Sequence, residues 1–259
     1  MIFSRTFQTR SHRLKAIAVT GLAAALGASL LVASPAQAAK FRPLSEASLS
    51  NSSLTLADLP RWIVRTNDPT LEQTYEQNRR ATRPDLCLNA NGDGVTGPRP
   101  KQYMGSMATT RVDLENLGGT EINSDIYQYA NRAAAVRAWK RLNAKAMTCA
   151  GQVNVDVEAE GVEVLVSVAT DVDELPVLFG RPGLALSQEV DVEVIAGELD
   201  IAVLGDQYSN YYLAGQSIIR VEFANINGAT PGSLSRVARQ FVETMAIVVT
   251  QRIQLRSQR

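Results

Sequence analysis

Histidine is almost absent from this chain of 259 residues, since His12 is the only one. Catalytic sites of the Ser-His-Asp or Cys-His kind need an imidazole as general base, so a chain that loses its first 38 residues cannot form one. Glycine-rich phosphate loops are missing as well, and none of the four lysines beyond residue 38 follows a serine in a Ser-x-x-Lys spacing. These absences argue against the common catalytic classes.

Residues 1–38 have the three parts of a secretory signal peptide. Four basic residues within the first 15 positions precede an apolar run over 16–33, and Ser34-Pro35-Ala36-Gln37-Ala38 supplies the small residues of a cleavage site. We predict cleavage between Ala38 and Ala39, and a secreted or cell-envelope location. The alternative is an uncleaved anchor, for which 18 residues are marginal because a spanning helix needs about 20.

After cleavage, neither a lipid anchor nor a stable membrane anchor is expected. The first cysteine is Cys87, which lies far from the apolar run of the leader, and no later apolar run reaches 18 residues.

Removal of the leader turns a neutral chain acidic. The whole chain has 26 Lys and Arg against 26 Asp and Glu, and loss of the four basic leader residues leaves 22 against 26, a net charge of −4. We therefore expect no nucleic-acid partner. The segment 153–206 has 13 acidic residues against Arg181 alone. It is either a solvated outer sheet face or an acidic surface for a cationic ligand, peptide or metal.

Cys87 and Cys149 are the only cysteines in the chain. Two thiols exported to an oxidising space normally pair, so we predict a structural disulfide between them. The spacing does not suit a redox Cys-x-x-Cys pair, and a zinc site could be completed only by carboxylates.

A loop rich in glycine and proline is predicted over 88–101. Within it, Asn89, Asn91 and Asp93 match positions 1, 3 and 5 of a calcium-binding loop. Position 12 should hold a bidentate acid and is Pro100, so the same residues also suit a plain turn of Asx residues and glycines. We expect no cofactor, with calcium at these three residues as the alternative.

Two kinds of periodicity predict an α+β fold. Apolar residues recur at helical spacing over 133–147 and 231–254, whereas apolar and polar residues alternate as in strands over much of 102–129 and 153–224. Short glycine-containing turns join the later strands, which favours antiparallel hairpins. We predict a mainly antiparallel meander sheet with helices packed on one face.

The start of the mature chain is less regular. Residues 39–53 are rich in Ser, Ala and Asn without periodicity and are predicted to be a flexible N-terminal segment. Pro69 suits the first turn of a helix and predicts a short helix over 69–80. Residues 54–259 are expected to form a single domain, since a mature chain of about 221 residues can bury one large core.

Tyr208, Tyr211 and Tyr212 lie with Asn210 near a predicted turn between strands. Aromatic side chains at a loop tip can bind a ligand or partner, and these four residues are the candidate surface. The alternative is that the tyrosines cover an edge of the core with solvated hydroxyl groups. Paired carboxylates of the acidic segment could also serve a glycosidase, but the pattern does not single out two of them.

Three stretches of the chain together resemble a known family. Asp125-Ile-Tyr-Gln-Tyr-Ala-Asn-Arg-Ala-Ala-Ala-Val-Arg-Ala-Trp139 leads to Thr148-Cys149-Ala-Gly-Gln-Val153, and Leu56-Ala57-Asp58-Leu59-Pro60 lies early in the mature chain. This order is similar to the PknH-like extracellular sensor domain of actinobacterial receptor kinases and exported proteins. The resemblance implies an α+β domain with a ligand-binding cleft. No functional residue carries over, and this chain can form one disulfide where the kinase sensor has two.

We therefore predict a secreted, sensor-like protein that is not an enzyme and binds a small molecule, peptide or protein of unknown identity. The alternatives are a secreted hydrolase that uses carboxylates and a calcium-stabilised structural or inhibitory protein.

Overall fold

The computed structural model describes residues 43–59, 70–89, 91–109, 119–149, 151–159, 162–178, 181–196, 199–226 and 232–257. The predicted signal peptide lies outside them. The helices are α1 (Glu46–Ser50), α2 (Arg132–Ala146) and α3 (Gly232–Ser257), and 3-10 turns occupy Leu56–Asp58 and Asn78–Arg80. None of these described helices combines the length and the apolar character needed to cross a bilayer.

The strands are β1 (Thr70–Gln77), β2 (Asp85–Leu88), β3 (Gly94–Thr96), β4 (Gln102–Thr109), β5 (Gly119–Gln128), β6 (Gly151–Ala159), β7 (Val162–Leu178), β8 (Arg181–Ala196), β9 (Leu199–Ala214) and β10 (Ser217–Ile226). Eight of them form one sheet in the order β1-β4-β5-β10-β9-β8-β7-β6, and every neighbouring pair is antiparallel. β2 and β3 form a separate two-stranded hairpin.

Strands β6 to β10 are a continuous meander, because each one pairs with the next along the chain. Strands β5, β4 and β1 continue the sheet beyond β10, and α2 leads from β5 in the sheet interior to β6 at its far edge. The predicted α+β class with a mainly antiparallel meander sheet is confirmed.

Helix α2 begins where its sequence provides a cap. Asn131 has an extended backbone, and its side chain accepts a hydrogen bond from the backbone N–H of Ala134 at 2.8 Å. The buried residues of the helix recur at spacings of three and four and form one face: Ala135, Ala138, Trp139, Leu142 and Ala146. The helix predicted over 133–147 is confirmed.

Helices cover both faces of the sheet, whereas the sequence pattern predicted helices on one face only. Consecutive residues of a strand point to opposite faces. Tyr211 and Ile218 pack with α2, while their chain neighbours Tyr212 and Ile219 pack with α3. The reason is that both alternating sets of residues on the central strands β9 and β10 include large apolar side chains, so each face needs a cover.

The prediction of a helix over 69–80 is wrong. Thr70–Gln77 is an edge strand that pairs with β4 from Thr70↔Thr109 to Gln77↔Gln102, and only the last three residues form a 3-10 turn. Pairing with an available sheet edge outweighs the local helix signal of Pro69, because strand formation depends mainly on tertiary context.

The described part of the N-terminal segment, 43–53, is packed and not extended into solvent. Ser45 caps α1, and Leu49 is fully buried in the core under α3. Beyond it, Arg252 of α3 donates to both carboxylate oxygens of Asp58, at 2.6 and 2.8 Å. This bidentate ion pair holds the start of the described chain against its final helix.

Candidate ligand-binding cavity

A cavity of about 540 Å³ lies on the α2 face of the sheet, beside the β2–β3 hairpin. Its volume is within the range of roughly 300–1,000 Å³ that is typical of small-molecule sites. Leu86 and Leu88 of β2 form one wall, and Val166, Val168 and Val190 of β7 and β8 form the other. The floor is polar and comes from the central strands.

The disulfide between Cys87 and Cys149 holds the hairpin wall in place. Cys87 lies in β2, and Cys149 comes just after the last turn of α2. A second tie is the hydrogen bond of 2.7 Å from Nζ of Lys145 to the carbonyl of Thr96. The predicted disulfide is confirmed, and its position ties one wall of the cavity to α2.

Arg220 is the centre of the polar floor. Its Nε donates to Oδ2 of Asp125 at 2.7 Å, and its Nη1 lies 3.2 Å from Oε2 of Glu222. Only 13% of the Arg220 side chain is exposed, against 5% for Asp125 and 6% for Glu222. Burial alone would lower the pKa of Arg220, but the two carboxylates outweigh it and raise that pKa well above its usual value. The floor therefore has one cation shared by two anions.

Glu222 is held as a carboxylate by Arg220 and by three further donors. Ser209 and Gln207 donate to Oε2 at 2.7 and 2.5 Å, and Asn123 donates to Oε1 at 3.0 Å. Burial works to raise the pKa of Glu222, yet Arg220 and these hydrogen bonds together lower it. The group is thus a fixed negative charge.

Two tyrosines complete the floor as neutral phenols. Tyr103 donates to Oδ1 of Asp125 at 2.8 Å, and its ring centroid lies 5.4 Å from that of Tyr127. Burial, followed by the charge of Asp125, raises the pKa of both phenols above the ordinary value. Tyr103 therefore acts as a hydrogen-bond donor that orients the carboxylate.

A second cavity, of about 370 Å³, continues along the same face. Val190, Gln207 and Glu222 line both cavities, and the second one adds Glu121 and Val192. We call the two cavities together the groove. The groove has a valine side on β8 and a polar side on β5, β9 and β10.

The four residues of the candidate aromatic surface do not lie together on an exposed loop. All of them lie inside β9 and are buried. Tyr208, Asn210 and Tyr212 point to the α3 face, and Tyr211 points to the α2 face, where its hydroxyl donates to the carbonyl of Asp85 at 2.6 Å. Only Tyr211 is near the cavity, and it supports the hairpin wall.

Asn89, Asn91 and Asp93 form the turn between β2 and β3. The side-chain oxygen of Asn89 accepts from the backbone N–H groups of Asn91 and Asp93, both at 2.9 Å. This is an Asx turn, which explains the residue types by conformation. Among the residues that the structure describes, no group of three or more Asp, Glu, Cys or His could hold a metal ion. Calcium binding stays a prediction.

The predictions from sequence did not include Asp125, Arg220 or Glu222. A signal was present, since Arg220 and Glu222 share one face of a strand whose other residues are mainly apolar. Opposite charges two residues apart in a buried strand indicate a paired interior network, because unpaired charges are rarely buried. Asp125 becomes its third member only through the pairing of β5 with β10.

No family model matches the chain, and no curated protein matches it either. Among solved structures, the chain is similar to the crystal structure of the extracellular domain of PknH from Mycobacterium tuberculosis. The TM-score is 0.47 and the sequence identity is 13%, over 79% of this chain and 98% of that chain. The structural resemblance is loose.

Proposed function

We propose that this protein is an exported, sensor-like binding protein without enzymatic activity, and that its ligand occupies the cavity above Arg220. The observation that carries the proposal is the combination of a cavity of about 540 Å³ with a fixed polar floor. Pockets for small molecules typically combine apolar walls with a few polar groups that orient the ligand.

The placement of the charges supports a binding role. Burying Arg220, Asp125 and Glu222 costs desolvation energy, and well-packed apolar residues often stabilise a core equally well. Here the ion network lies at the base of an open cavity and not within a closed core. Such a position suits groups that recognise a ligand.

The ionisation of Glu222 supports binding over hydrolysis. A glycosidase of the two-carboxylate type needs one carboxylic acid whose pKa is raised, so that it can protonate the leaving group. The pKa of Glu222 is lowered, and both Glu222 and Asp125 already face the guanidinium of Arg220. Neither carboxylate is free to act as a nucleophile without breaking the network.

Two features support export. The disulfide between Cys87 and Cys149 is of the kind that persists in oxidising compartments. The second feature is the signal peptide predicted over residues 1–38.

The test is binding of the neutral fluorescent probe N-phenyl-1-naphthylamine, which brightens in apolar sites. Val190 lines both cavities, so Val190→Trp should block the groove. The matched control is Asp191→Trp, because Asp191 is exposed and points to the opposite face of the same strand. We expect saturable binding to the unmodified protein and to Asp191→Trp, and its loss in Val190→Trp.

Thermal melts of both variants provide the folding control. Equal binding by the two tryptophan variants, or no saturable binding by the unmodified protein, would contradict the proposal.

A further inference from the structure

We infer that the ligand of the groove is a small amphipathic cation, namely an ammonium or guanidinium group attached to an alkyl or aromatic body. This rests on the proposed function, because it assigns the chemical class of the ligand to the same site. The inference follows from the balance of charge on the polar side of the groove and from the apolar character of the valine side.

The polar side of the groove has more negative than positive charge. Glu121, Asp125 and Glu222 all point to this face, because their registers place them on the same side of the paired strands β5 and β10. Arg220 is the cation among them, and it already faces both Asp125 and Glu222. Three carboxylates with one guanidinium leave two negative charges.

The excess charge is concentrated between Glu121 and Glu222. One amide nitrogen, Nδ2 of Asn123, donates to Oε1 of Glu121 at 3.2 Å and to Oε1 of Glu222 at 3.0 Å. The two carboxylates are thus close neighbours bridged by a neutral group. A cationic group placed here gains charge-assisted hydrogen bonds from ligand to carboxylate, which are stronger than neutral ones.

An anionic ligand would be repelled by the carboxylates of the groove. Among the described residues that line the cavity, the other cation is Arg83, which is exposed beside Asp85. Like charges brought together at a binding site cost several kcal/mol, so a carboxylate or phosphate is disfavoured next to Glu121 and Glu222.

The valine side of the groove can contact the apolar part of the ligand. Val190 and Val192 of β8 lie across from the carboxylates in the second cavity, and Val166 and Val168 extend this apolar side into the first. Burial of apolar area contributes about 25 cal/mol per Å², so an alkyl chain or ring along these valines adds affinity that a simple ion cannot obtain.

The experiment is displacement of N-phenyl-1-naphthylamine by three ligands that share one alkyl chain: octylammonium, 1-octanol and octanoate. We expect octylammonium to bind at least about tenfold more tightly than octanoate. Glu121→Gln should weaken octylammonium about fivefold and leave 1-octanol unchanged, because the loss is that of one partly exposed ion pair. Glu121→Asp keeps the charge and should retain most of the preference.

The matched control is Glu189→Gln, since Glu189 is exposed on the opposite face of β8, next to Val190. It should leave all three affinities unchanged. Equal or tighter binding of octanoate, or an equal effect of Glu121→Gln and Glu189→Gln, would overturn the ligand class while the groove would still be a binding site. Failure of all three ligands and of the probe to bind would overturn the proposed function as well.

Discussion

Replacing Arg220 with methionine tests whether the three charged groups of the polar floor depend on one another for stability. The change removes the guanidinium and keeps an apolar stem of similar length. Asp125 and Glu222 then lose their cation, although their side chains are only 5% and 6% exposed in the unmodified protein. Removing one partner of a buried ion pair typically costs about 3–5 kcal/mol. We therefore expect the free energy of unfolding at neutral pH to fall by about that amount.

The loss should depend on pH in a defined direction. In the unmodified protein the pKa of Glu222 is below the ordinary value of 4.5, so its ionised form contributes stability above that value and the contribution disappears as pH falls through the folded pKa. Without Arg220, burial dominates and should raise the folded pKa of Glu222 above the unfolded one. The variant then gains stability from protonation at low pH and loses it as pH rises, so its deficit should shrink between about pH 7 and pH 5.

Urea denaturation at these two pH values measures both effects. Arg137→Met is the matched control, because Arg137 is exposed on α2 and the same substitution there should change stability by less than about 0.5 kcal/mol. Adding Glu222→Gln to Arg220→Met should recover part of the loss, since one uncompensated charge is removed. A loss below about 1 kcal/mol, or a deficit that is identical at both pH values, would refute the reasoning.

Two further predictions concern the framework. Replacing Cys87 and Cys149 with serine should lower the free energy of unfolding by roughly 4 kcal/mol, because the disulfide closes a loop across 62 positions. The same change should weaken probe binding, because the disulfide anchors the hairpin wall of the cavity. Urea denaturation and probe titration measure the two effects, and unchanged values would count against them. Asp58→Asn should cost about 1–3 kcal/mol at neutral pH through its hydrogen bonds with Arg252, as measured by urea denaturation. The pKa of Asp58 is lowered despite its burial, so its contribution is lost as pH falls through the folded value. A deficit of Asp58→Asn that did not shrink as pH falls below 3.8 would contradict this origin.

The elements of the fold that could be predicted are those whose own sequence indicates their structure. Helix α2 has a cap at Asn131 and apolar residues at helical spacing, and the later strands alternate and are joined by short turns. The two cysteines could pair in only one way. For these elements, local preference and tertiary packing favour the same structure.

The parts that were not predictable depend on contacts between distant residues. Strand β1 forms because it can pair with β4 at the edge of the sheet, and nothing within Thr70–Gln77 indicates that β4 is its partner. The second face of the sheet is covered because α3 packs on it, and the sequence does not show on which face a helix packs. The groove is the clearest case, since Asp125 and Arg220 meet only through the register of β5 against β10, 95 residues apart in the chain.

The candidate surface at Tyr208–Tyr212 shows the opposite difficulty. Its aromatic residues are conspicuous in the sequence, but alternation along β9 divides them between two buried faces. Charged residues in the interior of an apolar strand are a better indicator of a site, because burying a charge costs free energy unless it is paired. Applied to β10, this criterion selects Arg220 and Glu222.

A ligand that binds in the groove on the α2 face should change the environment of the backbone amides that line the groove. The most direct measurement is a titration of the ¹⁵N-labelled protein with N-phenyl-1-naphthylamine, followed by NMR amide shifts. We expect saturable shifts at the amides around Val190, Gln207 and Glu222, with little change along α3. Shifts concentrated on α3, or none that saturate, would contradict it.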